Sequence, residues 1–122
     1  MRLVTGLLCL VFSSVVFADH LDVLVFDLQS SCTVPEYMEI VEDFNEWGEA
    51  FSYQAEVAVP LQSEDLATLY WMGRSPNAAA FGAAWDAWRD GQSDASSVPA
   101  KLQQRFNDCA NPNSARRGYD VY

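Results

Sequence analysis

Once an N-terminal leader is set aside, Cys32 and Cys109 are the cysteines that remain, and they stand at opposite ends of a small α/β pattern. A bond between them would tie the exit of the first strand to the entry of the last. Few topologies for a chain of this length place those two points together.

Residues 1–18 read as a secretory leader. Arg2 is its charged start, and Leu7 to Phe17 is an apolar run interrupted by Ser13 and Ser14. Val16, Phe17 and Ala18 place a β-branched residue and an alanine at the −3 and −1 positions that a signal peptidase prefers. The apolar run falls short of the roughly 20 residues needed to cross a bilayer, and an uncleaved anchor is the alternative. Cys9 lies inside the apolar run with no small residue before it, which argues against lipidation. The expectation is an exported chain, periplasmic or secreted, with no membrane contact after cleavage. Residues 19–122 are then enough for one domain.

Export favours a disulfide between Cys32 and Cys109, with free buried thiols as the alternative. No C-x-x-C motif argues for a redox pair. The only histidine, His20, would lie at a flexible new N-terminus, so no metal site is expected. The net charge of −10 excludes nucleic acid and anionic lipid as natural partners. The acidity fits either solubility or an acidic docking surface.

Leu21 to Leu28 reads as a strand with two apolar faces, Leu21, Val23, Val25 and Leu24, Phe26, Leu28, as a central strand requires. Thr33, Pro35 and Glu36 spell a helix start with a capping box. The helix then runs to about Phe51 on an apolar stripe through Val34, Val41, Phe44 and Gly48. Tyr53 to Leu61 alternates as a half-buried strand, and a short turn over 62–65 leads into a strand from Leu66 to Gly73. Ser75, Pro76 and Asn77 begin a second helix that Gly91 ends. Ser97 caps a third helix, with Pro99 in its first turn and Val98, Leu102, Phe106 and Cys109 on one face. Ala115 to Tyr122 is a last strand opening on Arg116 and Arg117. The order is β-α-β-β-α-(α)-β, a split βαβ pattern in which the last strand lies antiparallel beside the first. Topology and cysteines therefore converge on one neighbourhood.

This order, with Leu69 to Ser75 and the small residues leading to Phe81, resembles the dimeric α/β-barrel superfamily of ferredoxin-like domains. That superfamily includes antibiotic-biosynthesis-monooxygenase-like and NIPSNAP-like proteins. The resemblance covers most of residues 19–122. It implies an α+β sandwich, a homodimer through the sheet face, and a cavity between sheet and helices. Haem-degrading members carry an axial histidine on the second helix. The stretch Phe81 to Trp88 has none, so the resemblance carries over no activity.

No nucleophile elbow, P-loop, dinucleotide fingerprint or metal motif is present, and no cofactor is called for. The paired acids Glu42 and Asp43, or Glu46 and Glu49, belong to a charged helix face. The remaining candidates are aromatic. Tyr70, Trp71, Trp85, Trp88 and Tyr119 can line an apolar pocket, with Arg74 or Arg117 orienting an anionic or carbonyl group. The alternative is that these aromatics are simply core and dimer interface, and the arginines simply partners for acids. The function expected is binding, of a small apolar or aromatic molecule or of a partner protein. A cofactor-free monooxygenase or isomerase in the same pocket, and an interaction module using the acidic helix, are the alternatives.

Overall fold

The structure is a computed structural model that describes residues 18–122. The leader lies outside the described residues except for Ala18. A four-stranded antiparallel sheet in the order β2-β3-β1-β4 is built from β1 (Asp19–Asp27), β2 (Gln54–Ala58), β3 (Thr68–Ser75) and β4 (Ala115–Val121). Helices α1 (Val34–Gly48), α2 (Ala78–Gly91) and α3 (Val98–Cys109) complete a ferredoxin-like α+β fold. No helix among the described residues is long and apolar enough to cross a membrane.

Each element starts where its local chemistry says it should. Thr33 accepts from the Glu36 N–H while the Glu36 carboxylate accepts from the Thr33 N–H, which closes the capping box of α1. Such a cap contributes about 1 kcal/mol. Asn77 caps α2 through the Ala80 N–H, and Ser97 caps α3 through the Ala100 N–H. Ser75 closes β3 rather than opening α2. Gly91 ends no helix through a left-handed conformation, since no glycine has positive φ among the described residues. Its service is close approach: a Cβ there would come within 2.7 Å of the Pro99 ring.

The apolar stripe of α1 buries Tyr37, Ile40, Val41, Phe44 and Gly48. They meet Phe26, Leu69 and Trp71 from the sheet, and Ala84, Trp88 and Leu102 from α2 and α3, in one core. Phe44 sits at its centre, with ring centroids 4.9 Å from Trp71 and 5.3 Å from Trp88.

β4 pairs antiparallel with β1 from Val25 opposite Ala115 to Asp19 opposite Val121. The exit of β1 thereby meets the entry of β4. Cys32 and Cys109 form a disulfide at this corner, their Cα atoms 5.1 Å apart. The Gln29 N–H to the Cys109 carbonyl and the Asn111 N–H to the Asp27 carbonyl, each 2.9 Å, hold the same corner.

Other bounds differ from expectation, and α1 ends at Gly48, with a 3-10 turn over Glu49–Phe51. β2 stops at Ala58 instead of Leu61, because Pro60 has no N–H for the ladder, and Leu61 is 90% exposed. The connection to β3 then spans 59–67 in place of a short turn. His20 is no flexible terminus but a β1 residue between Ser75 and Asp120, its ring stacked 4.5 Å from Phe81.

Candidate functional site

Strand parity sorts the sheet into two faces. Toward the helices run the rows Ala55–Gly73–Asp22–Gly118 and Val57–Trp71–Leu24–Arg116. Away from them run Gln54–Arg74–Leu21–Tyr119, Glu56–Met72–Val23–Arg117 and Ala58–Tyr70–Val25–Ala115. A residue's place in the register therefore decides whether it can reach a cavity on the helix side.

Such a cavity exists, of about 370 Å³, between the inner sheet face and the helices. Its walls are Tyr37, Phe44, Trp47, Trp71, Trp88 and Phe106, with Phe81 and Trp85 toward the mouth. Gln103, Asn107 and the segment 110–113 supply uncharged polar groups around it. Asp22 and Arg116 are the charged residues that line it.

Asp22 is 3% exposed in the middle of an apolar face, so its charge has to be answered. Arg116 donates from Nε to Oδ1 at 3.1 Å and from Nη2 to Oδ2 at 2.9 Å, a two-pronged ion pair. Tyr53 donates its Oη–H to Oδ2 at 3.3 Å, and Trp71 donates its indole N–H to Tyr53 Oη at 2.9 Å. The guanidinium stacks on Trp85, 4.0 Å from the ring centroid. Burial pushes the Tyr53 pKa well above the usual tyrosine range, and the Asp22 charge pushes the same way. The phenol thus remains a protonated donor at ordinary pH.

Tyr53 immediately precedes β2, and its side chain must cross β3 to reach Asp22. It crosses at Gly73, where a Cβ would stand 1.7 Å from Tyr53 Oη. Glycine is required there by contact, not by backbone conformation. Gly118 flanks Asp22 on the other side, and a Cβ there would meet the His20 ring at 3.3 Å.

The residues singled out from the sequence divide between the two faces. Trp71, Trp85 and Trp88 line the cavity. Tyr70, Arg74, Arg117 and Tyr119 lie on the outer sheet face, and Arg74 stands 3.9 Å from Glu56 there. The arginine that the cavity receives is Arg116, one residue from Arg117. Asp22, Tyr53 and Gly73 escaped the sequence reading. The signal for Asp22 was a carboxylate interrupting an apolar strand face.

No family model matches the chain, and no curated protein matches it. Solved structures match at the level of fold. One is a hydroxynitrile lyase from Passiflora edulis, 15% identical, with a TM-score of 0.53, covering 84% of this chain and 94% of that one. Another is a dimeric protein of unknown function and ferredoxin-like fold from Bacteroides fragilis, 13% identical, with a TM-score of 0.46, covering 84% and 96%. The likeness to the lyase carries the same conclusion as the strand order: a ferredoxin-like fold.

Proposed function

We propose that this is an exported protein that binds a small, largely apolar, ring-bearing molecule in the cavity between sheet and helices. One observation carries the reading: aromatic walls enclose about 370 Å³ around a single charged cluster, Asp22 with Arg116. Natural ligand sites combine a mostly apolar lining with a few convergent polar groups in this way. A ring would stack on the indoles and displace water from apolar surface, at about 25 cal/mol per Å² buried.

Binding is favoured over turnover by how the cluster is spent. Both Asp22 oxygens already accept hydrogen bonds, and the Tyr53 hydroxyl both donates and accepts. A general base needs an oxygen open to the proton it removes. The Passiflora edulis neighbour is named a hydroxynitrile lyase, which supports a second reading, turnover in the same cavity. In that reading the acceptor left to Asp22 is the second lone pair of Oδ1, which takes one hydrogen bond, from Arg116 Nε.

The outer sheet face supports the second half of the proposal, a homodimer. Leu21, Val23, Val25 and Met72 form an apolar centre, with Tyr70 and Tyr119 partly exposed beside it. The helices cover the opposite face alone. A second copy of the same sheet is the cover whose chemistry matches.

Naphthalene titrated into the ¹⁵N-labelled protein tests the cavity. The indole N–H signals of Trp71 and Trp88 should shift saturably, while the exposed backbone of α1 should not. Absence of any saturable shift at the solubility limit of naphthalene would count against the proposal.

A further inference from the structure

The hydrogen-bonding inventory of the cavity is lopsided. Its charged acceptor, Asp22, is committed on both oxygens. The indole donors are committed too, Trp71 to Tyr53 and Trp88 to Gln103 Oε1 at 3.3 Å. Arg116 alone keeps strong donors in reserve. It has five N–H groups, and Asp22 takes the edge formed by Nε and Nη2. Nη1 makes no hydrogen bond among the described residues. The remaining edge, formed by Nη1 and the second hydrogen of Nη2, is a pair of parallel N–H bonds. Stacking on Trp85 holds the plane of that fork.

Resting on the binding function proposed above, we infer that the ligand is a ring-bearing monocarboxylate. Its carboxylate takes the open fork of Arg116 and its ring enters the aromatic cavity. Two coplanar acceptors match two parallel donors, which a single carbonyl oxygen does not. A cationic ligand would meet Arg116 with no free carboxylate to answer it. The Arg116 side chain is 37% exposed, so a carboxylate placed there keeps part of its hydration while the ring leaves water. Arg116 stands between the two carboxylates, and among the described residues Asp22 is the only acidic residue lining the cavity.

The test compares three probes of one ring system at pH 7: 2-naphthoate, 2-naphthamide and naphthalene. Affinities are read by NMR titration in a carboxylate-free buffer. The expected result is 2-naphthoate binding about tenfold or more tighter than the other two, the scale of one charge-assisted pair. Arg116→Lys keeps the charge but removes the fork. It should collapse the ratio of 2-naphthoate to 2-naphthamide affinity toward one, a ratio read within the variant itself. Should the variant not fold, the guanidinium Nη–H signals of Arg116 in the unmodified protein replace it. Those signals must move with 2-naphthoate and stay with naphthalene. If 2-naphthoate binds no better than 2-naphthamide, the carboxylate assignment is overturned while the binding function stands. If 2-naphthoate is preferred but Arg116→Lys, or the Arg116 signal, is indifferent, Arg116 is not its partner and the inference falls. If no probe binds, the binding function itself fails.

Discussion

A single absent methyl group lets the polar cluster form. Gly73 lies under the Tyr53 ring, and that ring is how the residue before β2 reaches the Asp22 carboxylate on β1. Gly73→Ala should cost about 1–3 kcal/mol, as overpacking of a filled interior does. Denaturant unfolding measures it, and a midpoint equal to that of the unmodified protein would refute the contact. Tyr53→Phe keeps the ring and removes the hydroxyl, leaving Trp71 without its acceptor, at a cost of about 1–3 kcal/mol. The same hydroxyl predicts a response to base. Burial raises the Tyr53 and Tyr37 pKa values in the folded state. Above the ordinary tyrosine pKa of about 10 the unfolded chain releases these protons and the folded chain retains them. Their contribution is therefore complete below pH 10 and declines as pH rises from there. Unfolding midpoints recorded from pH 8 to 11 should fall at the upper end, and fall less in Tyr53→Phe. At residue 74 the expectation is silence: Arg74→Ala, on the outer face, should leave binding of naphthalene unchanged.

The elements are largely legible in the sequence, as is the alternation of β1 and β2; which side of β3 and β4 meets the helices is not. Thr33, Asn77 and Ser97 mark helix starts through side chains that reach only three residues, so local sequence suffices to find them. The two apolar faces of β1 require a cover on each side, and with the split βαβ order they place β4 beside it. Register is different, because one residue's slip exchanges the faces of a strand. Nothing local distinguishes Arg116 from Arg117. The choice is made by the pairing of Leu24 with Arg116, across a long stretch of chain. Tyr70 and Trp71 are divided in the same way by the pairing of β3 with β1. Asp22 is not legible as a site residue, because its partners Tyr53 and Arg116 lie beside β2 and in β4, which no short window contains. The disulfide corner carries its own prediction at this scale. Replacing both Cys32 and Cys109 by serine frees the loop between them and should cost about 3–5 kcal/mol in the chain-entropy model. Equal stability of the serine pair and the oxidised protein would contradict that constraint.

For the whole molecule, one sheet does two tasks with its two faces. The inner face floors the cavity and the outer face offers Val23 at the centre of an apolar patch. Val23→Glu would place a charge at that centre without touching the cavity. It should convert a dimer to a monomer at micromolar concentration, as light scattering after gel filtration would report. A monomeric unmodified protein under the same conditions would remove the dimer from the account. The cavity remains the central claim, and native mass spectrometry tests it most directly, on gently purified protein. The account predicts a dimer mass carrying one small molecule per protomer, released on denaturation. Bare polypeptide in every preparation, with no adduct after incubation with 2-naphthoate or naphthalene, would contradict it.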